Sequence, residues 1–148
     1  MEGFDESIGG KWKLLRNENF DEYLSLMGIG FLKRKIACAF TTVMELTKLD
    51  DKRVRIVSDG PKHSDSVVIL GDEVEEVDPF DNKIKVKVNW NPETRVLRTE
   101  SYPIDDSKAK KAFVERKIDQ ETKELIMEVT LPDEKGGFVC RRIFKKVE

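Results

Sequence analysis

Residues Gly10 to Met27, GKWKLLRNENFDEYLSLM, set the architecture of this chain. Residues 11–16 read as a strand around Trp12, and the segment after it reads as a short helix. Asn17 or Asn19 can cap that helix by accepting a hydrogen bond from an orphan amide, Asp21 and Glu22 suit its positive end, and Gly28 ends it. Phe20, Tyr23, Leu24 and Met27 recur at i, i+3, i+4 and i+7, which makes one apolar face. After Gly28-Ile29-Gly30 a second helical stretch carries Phe31, Leu32, Ile36 and Phe40, with Lys33, Arg34 and Lys35 between them. A strand therefore runs into a helical hairpin of about twenty residues.

Beyond this stretch the chain reads as strand. Residues 43–48 and 53–58 flank a turn at Asp50-Asp51-Lys52 and form a hairpin by spacing and turn chemistry. Asp59-Gly60-Pro61 breaks the pattern before 66–70; Gly71-Asp72 turns into 74–77; Asp78 to Asn82 is a strong turn. Ile84, Val86, Val88 and Trp90 alternate with Lys85, Lys87 and Asn89, the clearest half-buried strand in the sequence. Asn91 to Thr94 turns into 95–101, and the lysine-rich segment 103–111 reads as a surface loop. Runs at 112–119, 124–131 and 137–146 close the chain. About ten short strands with regularly spaced turns predict an antiparallel barrel or sandwich with one helical hairpin inserted after the first strand.

Composition bounds the function. A chain of 148 residues fits a single domain spanning 1–148. Charged residues make up 38% but balance at a net charge of −2, so no global field favours nucleic acid. The acidic stretch MEGFDESIGG has no apolar run, so neither a signal peptide nor a membrane span is expected, and the location expected is cytoplasmic, with the nucleus also open. Cys38 and Cys140 lack metal-ligand spacing, so no metal and no cofactor is expected and reduced thiols are the default.

The pattern formed by Gly10, Trp12, Leu14, Asn19, Phe20, Asp21, Tyr23, Leu24 and Met27 resembles the signature of the cytosolic fatty-acid-binding protein family, the intracellular lipid-binding proteins. The resemblance continues through GIGFLKRKIA and returns at 71–76 and 139–144, so it covers nearly the whole chain. It implies an all-β calycin fold, a ten-stranded antiparallel up-and-down β-barrel (β-clam) capped by a helix-turn-helix. It also implies a monomeric carrier that holds a long-chain fatty acid non-covalently in its interior for transport and solubilisation. Retinoic acid or another hydrophobic carboxylate is the nearest alternative cargo. A barrel that acts through a protein partner without lipid is an alternative of a different class.

The resemblance also assigns residues. Family members that bind a carboxylate place one arginine in a last-strand motif like V-C-T-R-I-Y and another two strands earlier; Arg142 and Arg116 occupy those positions. The tyrosine that completes the family triad is Phe144 here, so one hydroxyl donor is missing. Phe20, Tyr23 and Met44 match positions that face the cavity. Ile29, Phe31, Lys33 and Arg34 fall at the portal, where the usual Ser-Thr-Phe is replaced by Asp59-Gly60-Pro61 and Phe80 is the candidate substitute for the gating phenylalanine. The trio Lys33-Arg34-Lys35 reads either as a solvated helix face or as a basic surface for transient membrane contact or nuclear import.

The residues themselves supply the reason for arginine. Side chains alternate along a strand, so Cys140, Arg142 and Phe144 share one face while Arg141 and Ile143 point the other way. One of the adjacent arginines must then face inward if the sheet closes. A carboxylate taken out of water costs several kcal/mol unless it is paired, and a guanidinium offers a fork matched to its two oxygens. Catalysis is not expected, because His63 is the sole histidine and lies in a loop beside Pro61, and Cys140 has no evident base.

Overall fold

In a computed structural model, which describes residues 1–78, 80–134 and 136–147, the chain forms two helices and ten strands. The order is β1 (Gly10–Glu18), α1 (Phe20–Leu26), α2 (Phe31–Ala39), β2 (Val43–Lys48), β3 (Arg53–Asp59), β4 (Ser64–Ile69), β5 (Glu73–Val77), β6 (Lys83–Asn91), β7 (Val96–Pro103), β8 (Ala112–Ile118), β9 (Leu125–Leu131) and β10 (Phe138–Lys146). Every pairing is antiparallel, and strands consecutive in sequence pair with each other except at β4 and β5. In addition β10 returns to pair with β1 and curls the sheet over on itself. β4 and β5 are the two ends of the sheet and do not pair with each other. This is the expected β-clam.

The local causes are those the sequence displays. In β6, Ile84, Val86 and Val88 are buried while Lys83, Lys85 and Lys87 face the other way, the signature of a sheet with one wet face. Turns are set by carboxylate and amide side chains that capture backbone amides one turn ahead. Asp50 accepts from the amides of Lys52 and Arg53, Asn91 from Glu93 and Thr94, and Asp119 from Glu121 and Thr122. Asp78 does the same for Phe80 and Asn82 in the turn before β6; Pro79 of that turn and Lys135 near β10 lie outside the described residues.

Two local expectations change. Asn19 stands at the start of α1 in the left-handed region (φ 61°) and makes no side-chain cap; its amide nitrogen donates instead to the Val139 carbonyl (3.1 Å) and ties the helix start to β10. The acidic N-terminal stretch is also structural. Phe4 and Ile8 are completely buried and join Trp12, Met44, Leu46, Val54, Leu97 and Phe144 in the core. Phe4 packs edge-on to Trp90 at 5.2 Å, the Trp90 indole donates to the Glu2 carbonyl (3.0 Å), and the Trp12 indole donates to the Ile8 carbonyl (2.9 Å). Residues 1–8 thus plug the clam at the Gly10 end of β1, and the helices cover the Glu18 end.

The core is concentrated around that plug. Beside it the inward-facing Val114, Arg116, Ile118 and Met127 are half-buried, and Ile118 and Met127 pack against the same cluster. Truncating the plug tests its contribution: Phe4→Ala should lower unfolding free energy by about 3–5 kcal/mol in a urea titration. A loss below about 1 kcal/mol would mean that the segment merely rests on the surface.

Candidate functional site

Cross-strand register builds the site. Partners in an antiparallel ladder point to the same face, and one row runs Leu97 (β7), Arg116 (β8), Met127 (β9), Arg142 (β10), Asn17 (β1). Leu97 is buried in the core, so the row faces inward. The two arginines flank Met127, their backbones about 9–10 Å apart by two strand spacings. The adjacent row, Arg98, Glu115, Glu128, Arg141, Glu18, faces outward. Its members pair along the surface, with Arg98 at 3.0 Å from Glu115 and Arg141 at 2.9 Å from Glu128. Alternation therefore sends Arg141 to water and Arg142 inside.

The two inward arginines have different surroundings. Arg116 lies deep in the clam, and its Nε is sealed from solvent with no hydrogen-bond partner. No ion pair is made by its guanidinium among the described residues, and burial alone pulls its pKa down to about 10. It remains a cation at neutral pH, with no acceptor for its Nε among the described residues.

Arg142 is held. Its Nε donates to Asn17 Oδ1 (2.8 Å), its Nη2 donates to Thr42 Oγ1 (3.3 Å), and its Cζ stands 4.0 Å from the Phe20 ring centroid, a cation–π contact. Burial lowers its pKa too, with Cys140, Cys38 and Tyr23 acting in the opposite sense. Thr42, in the loop between α2 and β2, is 2% exposed. Gly60 leaves it room, since a Cβ on that glycine would fall 2.6 Å from Thr42 Oγ1.

The remaining predicted residues divide into two groups. Phe20, Tyr23 and Phe80 form a run of aromatics from α1 to the turn before β6, with Phe20 stacked near Tyr23 and Tyr23 edge-on to Phe80, each 6.3 Å between centroids. The Tyr23 hydroxyl is pushed up to about 12, chiefly by burial and then by Cys140 and Asp78, so it is a neutral donor beside Arg142. Phe80 thus touches the helical cap through Tyr23. Met44 and Phe144 are packed in the core, Phe144 between Leu14 and Leu125 and Met44 opposite Trp12. Burial also pushes the Cys140 thiol up to about 11, which keeps it protonated.

In α2 no residue is buried, and Phe31 and Leu32 are 65% and 73% exposed. Ile29 is half-buried between the helices, and Lys33 and Lys35 face solvent. Arg34 does not belong with them. Its Nη1 donates to the Ile29 carbonyl (2.8 Å) and its Nε to Asp21 (3.1 Å), which clasps α2 to α1. The basic trio is thus two solvent-facing lysines, Lys35 lying over the Phe31 ring at 5.3 Å, and one strut. An outer recess of about 430 Å³ between β1 and the helices is lined by Asn17, Asn19, Phe20, Asp21, Glu22 and Cys38.

A ten-stranded antiparallel clam with a helical cap and an inward pair of arginines defines a class of small carrier fold. The sequence profile of the lipocalin / cytosolic fatty-acid binding protein family matches residues 9–146, and the chain belongs to that family. The sodium/calcium exchanger regulatory protein 1 of Doryteuthis pealeii is 29% identical over 142 residues, 95% of this chain and 97% of that protein. Cellular retinoic acid-binding protein 2 of Rattus norvegicus is 28% identical over 94 residues, 62% of this chain and 68% of that one. The crystal structure of Echinococcus granulosus fatty-acid-binding protein 1 superposes with a TM-score of 0.78 at 26% identity, covering 97% of this chain and 99% of that one.

The clasp makes a prediction about the cap. Because the Arg34–Asp21 pair is largely at the surface, Arg34→Ala should change global stability by less than about 1 kcal/mol. Amide hydrogen exchange across Phe31–Ala39 should nevertheless rise several-fold. Unchanged exchange would show that α2 is held by something else.

Proposed function

We propose that this protein is an intracellular carrier that binds a long-chain fatty acid non-covalently inside the clam, with its carboxylate at Arg116 and Arg142. The observation that carries the reading is Arg116, an interior cation whose Nε has no acceptor. An uncompensated buried charge is expensive, and an anionic ligand relieves the cost. Arg142, in the same inward row, has Nη1 free of hydrogen-bond partners among the described residues and adds a second donor set. Family membership and the relatives' names support a lipid cargo.

Magnitudes divide the work between tail and head. A sixteen-carbon chain buries about fifteen methylenes at roughly 0.8 kcal/mol each, about 12 kcal/mol gross, against an association cost of roughly 4–15 kcal/mol. Each charge-assisted hydrogen bond adds about 1.5–3 kcal/mol. The tail supplies most of the affinity, and the arginines fix orientation and the class of head group. A retinoid acid presents the same carboxylate and is the alternative cargo. The exposed Phe31, Leu32, Ile36 and Phe40 with Lys33 and Lys35 fit transient contact between α2 and an anionic membrane during transfer. The same surface favours the second reading, regulation through a protein partner, to which the name of the Doryteuthis pealeii relative adds weight. No chemical step is assigned to the protein, and His63 sits on an exposed turn beside Asp59 at 3.5 Å.

Displacement of a fluorescent fatty acid by an acid and by its methyl ester tests the head-group assignment. Arg116→Gln or Arg142→Gln should each weaken the acid roughly 10- to 100-fold while leaving the ester within about threefold. Equal losses would place the head group elsewhere, and failure of the unmodified protein to bind any acid would remove the carrier reading. The pH profile follows from Arg116, whose positive charge is lost as pH rises through about 10. Acid affinity should therefore be flat from about pH 6 to 9 and fall above that, whereas ester affinity should not follow.

A further inference from the structure

Arg142 is gripped from behind, and the residues that grip it lie outside the triad that the family resemblance assigns. In that triad a last-strand tyrosine supplies a hydroxyl, and here its place is taken by Phe144, fully packed between Leu14 and Leu125 with no polar atom to offer. Two other polar side chains meet the guanidinium instead. Asn17 is the direct ladder partner of Arg142 and accepts from Nε; Thr42, brought in by the loop after α2, accepts from Nη2. Together they occupy the side edge of the guanidinium, the one formed by Nε and the nearer Nη2 hydrogen. The end edge, formed by the two Nη groups, stays available for a carboxylate.

Thr42 is placed for this at a measurable cost. It is the one polar residue among the described residues that is almost wholly buried. Its hydroxyl sits so close to Gly60 that any Cβ there would collide with it. A buried hydroxyl must find a partner, and the partner here is Arg142. Phe20 closes one face of the guanidinium. A guanidinium fixed on one edge and one face has few ways left to meet an anion, which is pre-organisation in the sense that lowers the entropy cost of binding.

We propose that Asn17 and Thr42 are positioning residues of the head-group site, fixing Arg142 so that its free end edge presents to the ligand carboxylate in place of the hydroxyl lost at Phe144. The inference rests on the carboxylate-carrier reading above. It goes beyond that reading by making acid selectivity depend on two side chains that need not touch the ligand.

The experiment is a double-mutant cycle read on acid and methyl ester together, with folding checked by urea unfolding. Thr42→Val, nearly isosteric, and Asn17→Leu should each weaken the acid roughly 5- to 20-fold and leave the ester unchanged, while Thr42→Ser, which keeps the hydroxyl, should retain most of the acid affinity. In an Arg142→Gln background neither substitution should cost anything further, because the group that they position is gone. A second readout needs no ligand: the Arg142 Nε–H resonance in a nitrogen-edited NMR spectrum should be protected from exchange in the parent protein and lost in Asn17→Leu. Equal losses for acid and ester, full additivity with Arg142→Gln, or an Nε–H insensitive to Asn17 would each overturn the assignment. If the parent protein binds ester but no acid, the carrier reading itself fails, a result distinct from normal acid binding in Thr42→Val and Asn17→Leu.

Discussion

An arginine enclosed in a β-clam, its Nε without an acceptor among the described residues, is the constraint on which the rest of the structure turns. A guanidinium cannot shed its proton at neutral pH, and Arg116 retains its charge even with burial drawing its pKa to about 10. Its ladder partner is the buried Leu97, which pairs in turn with Trp90, so the charge stands beside the packed base where the N-terminal segment brings Phe4 against Trp90 and Ile8 against Trp12. The helices cover the other end, where α1 meets β10.

The two arginines differ in a way that a shared motif does not convey. Both belong to one inward row with Met127 between them, yet Arg116 is unpartnered and Arg142 is tied to β1, to the α2–β2 loop and to α1. The helical cap is thus joined to Arg142 through Phe20, and to itself through Arg34 and Asp21. The outward row of Arg98, Glu115, Glu128 and Arg141 shows where much of the charged composition goes: it covers the wet face of the sheet in exposed pairs that are individually weak.

What could be read from the sequence depended on how local the cause was. The alternation in β6, the turns at Asp50, Asp78 and Asn91, and the apolar face of α1 are set by residues within a few positions of one another, and they folded as read. Arg116 and Arg142 were picked out through the family pattern, whereas alternation along β10 required only that one of Arg141 and Arg142 face inward. Asn17 and Thr42 were not legible as partners of Arg142, since they stand 125 and 100 residues from it and meet it only through the β1–β10 register and the placement of a loop. Phe4 and Ile8 were hidden for a related reason: isolated apolar residues in an acidic stretch have no period to betray burial. Arg34 looked like one of three solvated cations because a helix sequence does not reveal which side chain turns back to clasp its neighbour.

Whether the interior holds a hydrophobic carboxylate can be asked of the purified protein by native mass spectrometry followed by lipid extraction. A carrier of the proposed kind should emerge with about one equivalent of fatty acid from its expression host, or take up an added fatty acid at that ratio. A protein that emerges empty and refuses every added acid would contradict the carrier reading, and would turn attention to the exposed α2 surface and a protein partner.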